Sequence, residues 1–292
     1  MNKDFKENLR KLWIRVAPKS YVRYAYKIHF GVYPNLKKPE NFNEKILWLI
    51  FNWQHPLLVQ CTDKFNMRNY VADCGLEEIL PKLYGSWTDA QLVEWDKLPE
   101  QYAIKCNHGC EMNIICTNKA DINIALASKQ LNTWLHTRYG ADKFYEPHYL
   151  HIKPIIFAEE YIKTLDGKLP IDYKIYCFNG VPELALACVD RETRVKFEFY
   201  DLQWNVLDIG AEKNNMKARR PISLDKMVEY SRILSKPFPF VRVDFYDRDG
   251  DPVLGELTFT PFYGMARYYS EEGNLWLGNK LELPKKYKRN YT

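Results

Sequence analysis

The sequence predicts an α+β fold, and three stretches decide it. In "IDYKIYCFNGVPELALACVD" two apolar runs flank Asn179-Gly180, the residue pair that a two-residue hairpin turn requires. "YAIKC", "NHGCEM" and "NIICT" read as strand, glycine loop and strand. Between such strands lie helical stretches, such as residues 121–139 and "SLDKMVEYSRILS". Strands in hairpins mixed with helices argue for α+β architecture rather than a parallel, doubly wound sheet.

The elements follow in order. Phe5, Leu9, Leu12, Trp13 and Val16 recur at helical spacing, with Lys6, Arg10, Lys11 and Arg15 on other faces. This first helix either packs its apolar face on the main body or rests as a basic amphipathic helix on anionic lipid. Residues 21–62 are rich in Tyr and Trp and helical in part, punctuated by Pro34, Pro39 and Pro56. "TDKFNMRNYVADCG" is a helix that Thr62 or Asp63 caps and Gly75 closes. "LPKLYGSW" reads as a short strand and turn, and "PIIFAEEYI" as a strand entering an acidic corner. "KFEFYDLQWNVLDI" reads as a further hairpin. Ser223 caps the helix that follows, and a basic tail, "KKYKR", comes near the end.

Composition narrows the function. The chain has 292 residues, 46% hydrophobic and 27% charged, which is enough for a sizeable core. No apolar run reaches a membrane span and no signal-peptide pattern opens the chain, so a cytoplasmic protein is expected. Seven cysteines, odd in number and within apolar segments, fit reduced thiols. Cys106, His108 and Cys110 bring metal-ligand types together, but no second Cys/His pair completes a zinc site. The net charge of +5 favours anionic partners. Its basic residues are scattered and no nucleic-acid motif is present, so nucleic acid is not expected and nucleotide or phosphate is.

The stretch "VRVDFYDRDGDPVLGELTFTP" carries the chemistry. Two strands meet at an Asp-Gly turn, and each carries a carboxylate, Asp244 and Glu256. Arg242 and Asp244 share one face of the first strand; Glu256, Thr258 and Thr260 share one face of the second. An odd-length loop centred on Gly250 sets 244 opposite 256, whereas an even-length loop separates them. Two facing carboxylates repel unless a cation lies between them, and such hard oxygen ligands suit Mg²⁺. The competing reading is a solvated hairpin face on which Arg242 simply pairs with Asp244. Lys105, at the end of a strand and beside Asn107, His108 and Gly109, is placed to meet phosphate oxygens. Asp172 and Lys174 share a strand face with Tyr176. His29, His55, His136, His148 and His151 have no recognisable partner and read as structural.

Taken in order, these pieces resemble the ATP-grasp superfamily of carboxylate–amine ligases, and within it the TupA-like group linked to capsule and teichuronopeptide synthesis. "TDKFNMRNYVADCGLEEILPKLYG" is similar to the opening of the nucleotide-binding region in D-alanine–D-alanine ligases. "YAIKCNHGCEMNIIC" resembles the strand-Lys-loop-strand over the phosphates, "FAEEYI" the adenine hinge and "DYKIYCFNG" the Asp-x-basic strand. The final pair of strands resembles the metal-binding Asp and Glu-x-Asn strands, except that Thr258 stands where the family has Asn.

The resemblance implies an ATP-grasp fold: two α+β lobes holding ATP between antiparallel sheets, with a helical N-terminal extension. It divides the chain into a helical region (1–62), an entry helix and linker (63–100), a small nucleotide-covering lobe (101–162) and a metal and substrate lobe (163–292). It implies that Lys64, Lys105, His108, Gly109, Glu159, Glu160, Tyr161, Ile162, Asp172 and Lys174 contact ATP. Mg²⁺ falls to Asp244, Glu256 and Thr258. Arg242, Lys174 and His108 are the candidate catalytic groups, and Arg219, Arg220 and Arg242 the candidate substrate groups. The implied activity joins a small-molecule carboxylate, such as a uronic acid or nucleotide sugar, to an amine through an acyl phosphate, in the making of a surface polysaccharide. Two alternatives stand beside it: a kinase with the same nucleotide site, and a glycosyl-transferring or structural component of polysaccharide assembly, tethered by the basic N-terminal helix.

Overall fold

The computed structural model describes residues 3–141, 144–163, 171–189, 195–212 and 217–287. The end of the basic tail, Lys288 and Arg289, lies outside them. Five helices come first: α1 (Lys3–Val16), α2 (Pro18–Phe30), α3 (Phe42–Asn52), α4 (Pro56–Thr62) and α5 (Met67–Asp73). Four strands, β1 (Leu83–Trp87), β2 (Tyr102–Cys106), β3 (Asn113–Cys116) and β4 (Ile156–Glu160), form an antiparallel sheet in the order β1-β4-β2-β3. Helix α6 (Ile124–Leu135) packs against it, and both cover an apolar core around Tyr102, Ile104, Leu131 and Ile156.

The second sheet contains β5 (Asp172–Phe178), β6 (Val181–Val189), β7 (Lys196–Tyr200), β8 (Phe240–Arg248) and β9 (Asp251–Thr258), ordered β7-β6-β5-β8-β9 and antiparallel throughout. Helix α7 (Leu224–Ser235) covers one face, where the Cys177 thiol reaches the Ser231 carbonyl. The side chains that alternate with Cys177 point the other way. At the far end of that face Tyr176 meets Phe42 and bonds the hydroxyls of Tyr268 and Tyr269. The N-terminal helices and α8 (Glu271–Lys280) share the larger core with this sheet. Two antiparallel sheets with helices about them are the expected fold class.

Both hairpin turns form where the sequence places them. Asn179-Gly180 (φ 49° and 80°) and Asp249-Gly250 (φ 52° and 101°) are left-handed pairs, the conformation that glycine tolerates without cost. Gly75, also left-handed, follows α5 and donates its N–H to the Ala72 carbonyl.

Other expectations are corrected. Asp63 does not cap α5 directly: it ends α4, and its Oδ1 accepts from the N–H groups of Phe65 and Asn66 in the turn between the helices. Helix α6 stops at Leu135, four residues early. Beyond β7 the expected hairpin is reduced to one bridge, Tyr200 with Val206, because Asp201 accepts from the backbone of Gln203 and Asn205 and tightens the chain into a turn. Ser223 makes no capping bond; its hydroxyl donates to Asp247.

Helix α1 turns most of its expected apolar face outward. Phe5, Leu9, Leu12 and Val16 are 56%, 51%, 56% and 73% exposed, while Ile14 on the opposite side is fully buried. At 100° per residue those four form one narrow stripe, and it faces away from the protein. That stripe thus does not pack on the main body, whereas Trp13, the fifth apolar residue, packs against Tyr21 and Tyr24 of α2.

Candidate functional site

Pairing of β5, β8 and β9 builds one wall of the site. Lys174 lies opposite Asp244, and Tyr176 opposite Arg242. Asp244 lies opposite Glu256, and Arg242 opposite Thr258. The turn is two residues long, so by itself it would set residue 255 against Asp244. A bulge between Asp244 and Phe245 leaves Gly255 unpaired and brings Glu256 there instead. The two carboxylates therefore share a face, although the loop is even in length rather than odd. Gly255 sits tightly in that bulge: a Cβ on it would lie 3.2 Å from the Tyr246 ring and 3.3 Å from the Asp244 carbonyl.

The other wall comes from β2, the loop after it and the start of the α4–α5 turn. Lys64, Lys105, Gly109 and Asn113 face Asp172, Lys174, Asp244, Gly255 and Glu256 across a cavity of about 240 Å³. Lys64 is held there by its Nζ, which donates to the Gly109 carbonyl at 2.9 Å and lies 3.2 Å from Glu256 Oε2. Its N–H donates to the Asn107 carbonyl.

Charge alternates around this space. Lys174 Nζ donates to Asp172 at 2.5 Å and to Asp244 Oδ2 at 2.6 Å. Arg242 grips Asp244 with two bonds of 2.7 Å, a bidentate pair. Thr258 accepts from Arg242 and donates to Glu256 Oε1. Lys105 donates to Glu159 at 2.5 Å, and Arg68 lies 3.5 Å from the same carboxylate. Burial opposes the charge on Lys64, Lys105 and Lys174, but their carboxylate partners outweigh it and hold all three above the ordinary lysine pKa. Burial likewise opposes ionisation of Glu256. Lys64, Lys174 and Arg242 overcome it and keep that carboxyl well below the usual range.

The sequence-based candidates divide. Lys64, Lys105, Gly109, Asp172, Lys174, Asp244 and Glu256 line the cavity. Arg242 and Thr258 support that wall from behind through Asp244 and Glu256. Glu159 and Glu160 sit at the end of β4, where Glu159 holds Lys105 and Glu160 meets Arg248 at 3.0 Å. Tyr161 and Ile162 follow them and do not line the cavity. His108 is not brought to it either: its buried ring bonds the carbonyls of Trp134 and Thr137 at the end of α6. Arg219 and Arg220 are also elsewhere. Arg220 pairs with exposed Asp225, and Arg219 offers its carbonyl to the Tyr173 hydroxyl. The sequence candidates for this cavity do not include Gly255, and Cys110 figures among them only as a metal-ligand type. A lone glycine inside a strand is a bulge signal that points to Gly255.

The donor set bears on magnesium. Asp244 and Glu256 supply carboxylate oxygens on adjacent strands, which meets the one or two carboxylates this ion uses when phosphate and water fill its other positions. Among the described residues no group of three or more His, Cys, Asp or Glu converges into a free-standing metal cage. The residues thus fit an ion held jointly with phosphate rather than by protein alone.

Residues 44–282 match the family described as TupA-like ATP-grasp. A match over that length places the chain in the TupA-like ATP-grasp family. No curated protein matches the sequence. Among solved structures, the chain is similar to D-alanine–D-alanine ligase from Bacillus anthracis (16% identity, 75% of this chain and 63% of that one, TM-score 0.43). It is also similar to the Helicobacter pylori D-alanine–D-alanine ligase (14%, 83% and 70%, TM-score 0.43) and to the D-cycloserine synthetase DcsG (15%, 77% and 70%, TM-score 0.43). The chain spans less than two thirds of the length of the Bacillus anthracis ligase.

Proposed function

We propose that the protein is an ATP- and Mg²⁺-dependent carboxylate–amine ligase. One observation carries the reading. Three lysines and the Asp244–Glu256 pair converge on a single cavity, so phosphate oxygens and a divalent ion can be neutralised at the same place. A free carboxylate resists attack by an amine, and conversion to an acyl phosphate removes that resistance. Lys64 and Lys105 hold phosphate from the β2 side. Asp244 and Glu256 hold magnesium, which screens phosphate charge when bound. Lys174 bridges Asp172 and Asp244 and is positioned to transfer its contact to phosphate. Arg242 fixes Asp244 in place. The carboxylate is assigned to a uronic acid or nucleotide sugar and the pathway to surface polysaccharide on family membership alone. The test is ADP release against a panel of uronic acids, with and without amines. Release that requires both supports ligation, whereas a stable phosphorylated product indicates a kinase.

The outward stripe of α1 supports a peripheral membrane contact. Residues 1–33 hold eight Lys or Arg against two Asp or Glu; Arg10 and Lys11 line a cavity on the inward side of α1, and the other six still exceed the acidic residues. Phe5, Leu9, Leu12 and Val16 present apolar area beside that charge, the complement of an anionic bilayer; a second copy would meet it with like charge. Among the described residues no helix is long and apolar enough to cross a membrane. Co-sedimentation with phosphatidylserine-containing vesicles, lost on Leu9→Asp, supports the contact. Equal sedimentation with neutral phosphatidylcholine vesicles, or none with either, refutes it.

A further inference from the structure

A second and larger cavity, about 460 Å³, adjoins the first and shares Cys110, Glu111 and Met112 with it. Its lining carries both signs of charge. Arg10 and Lys11 line it from the inward side of α1, 3.9 and 3.2 Å from Glu7, which lines it too, so the two cations outnumber their one carboxylate partner. Arg10 Nε is buried with no hydrogen-bond partner among the described residues. Glu146 also lines the cavity, is only 3% exposed, and accepts a hydrogen bond from the Thr260 hydroxyl. Thr260 follows Glu256 by four residues, so one strand end connects the two cavities.

Trp134, Tyr139, Phe144 and Tyr263 add aromatic lining. Phe144 stacks on Tyr263 with centroids 3.8 Å apart and planes at 14°, and the Tyr263 hydroxyl meets that of Tyr139 at 3.4 Å. Tyr263 is held there by an uncommon backbone: Phe262 and Tyr263 are consecutive left-handed residues with φ 48° and 58°. Glu111, in the shared loop, is left-handed too, with φ 59°. Such conformations cost energy in non-glycine residues and concentrate at ligand sites. Burial pushes the Glu146 carboxyl up to about 8, so a cation brought beside it gains most when the proton leaves.

We propose that this cavity binds the amine substrate as a zwitterion, a free amino acid whose ammonium meets Glu146 and whose carboxylate meets Arg10 and Lys11. Tyrosine faces and hydroxyls suit an ammonium, and a guanidinium suits a carboxylate. The shared Cys110–Met112 wall sets the amine next to the end of the nucleotide cavity, and its assignment as second substrate rests on the ligase reading.

The test is calorimetric titration of the free L-amino acids, and of their N-acetyl and methyl-ester forms, into the full chain with and without MgATP. At least one free amino acid is expected to bind, while its N-acetyl and ester forms bind at least tenfold more weakly. Glu146→Gln and Arg10→Gln are expected to weaken it by a similar factor, with melting temperature as the check on folding; Glu146→Asp serves if the glutamine variant does not fold. Equal binding of the blocked forms, or of the variants, overturns the proposal. So does the absence of amino-acid binding in a protein that binds MgATP. Failure to bind MgATP overturns the ligase reading instead, and the nucleotide-free titration still decides whether the cavity takes a zwitterion.

Discussion

Asp244 and Glu256 face one another across β8 and β9 because Gly255 is the extra residue of a bulge. Without it the two-residue turn would set Glu256 against Val243, on the opposite face of the sheet. A substitution that fills the bulge should therefore act on the site as well as on the fold. Gly255→Val is expected to weaken MgATP binding at least tenfold and to lower the melting temperature, with Gly255→Ala milder in both. Calorimetry and thermal unfolding check this.

Arg242 and Asp244 form a bidentate pair that is almost fully buried. Arg242→Met leaves Asp244 with Lys174 alone. The expected loss is about 3–5 kcal/mol, the usual cost of breaking a buried pair from one side. Arg242→Lys retains the charge but not the fork, and should lose less. Urea unfolding measures both.

Glu256 is more accessible than Asp244 and is held by Lys64 at 3.2 Å. Glu256→Gln leaves the Lys64 ammonium its bond to the Gly109 carbonyl but no carboxylate at 3.2 Å, so the fold should survive with some loss of stability while ATP turnover falls by about 10²-fold or more. Asp244→Asn should lose turnover and also stability, because Lys174 and Arg242 both depend on that carboxylate. ADP release with circular dichroism separates the two outcomes.

Glu146 sets a pH dependence. Its carboxyl has an ordinary value of 4.5 and is raised to about 8 by burial. Between those values the folded protein keeps a proton that the unfolded chain has released, so this group lowers stability as pH rises through the window. Glu256, whose carboxyl is depressed, is ionised in both states there and adds no slope. Glu146→Gln should thus match the wild type near pH 4.5 and exceed it at pH 8, by on the order of a few kcal/mol. Urea midpoints of both proteins at the two pH values check it, and a constant difference contradicts it.

Cys110 is exposed and borders both cavities, whereas Cys61, Cys106, Cys116, Cys177 and Cys188 are buried and Cys74 is intermediate. A maleimide should label Cys110 before the others, and MgATP should slow that labelling. Peptide mass spectrometry reads both effects.

Much of this architecture was legible in the residues, for identifiable reasons. Asn179-Gly180 and Asp249-Gly250 announce their turns because few other pairs accept two left-handed residues. The carboxylates of β8 and β9 stand out because charge on an apolar strand needs a partner. The pairing itself was not legible: strand alternation says which residues share a face, but a bulge changes the register. Periodicity likewise showed that α1 is amphipathic, but not that the apolar side faces outward. Glu146 lies in a short irregular stretch with no motif, and only the approach of Thr260, 114 residues away, gives it a role. His108 shows the opposite case: its place beside Gly109 in sequence suggests a phosphate contact, while its ring bonds the Trp134 and Thr137 carbonyls beside α6.

The most direct measurement is calorimetric titration of MgATP into the wild type, Lys105→Ala and Glu256→Gln. If the cavity between β2 and β8–β9 holds the triphosphate, the wild type binds one nucleotide, each variant binds at least tenfold more weakly, and Mg²⁺ alone gives no heat. Unchanged affinity in both variants, or tight Mg²⁺ binding without nucleotide, would contradict the account.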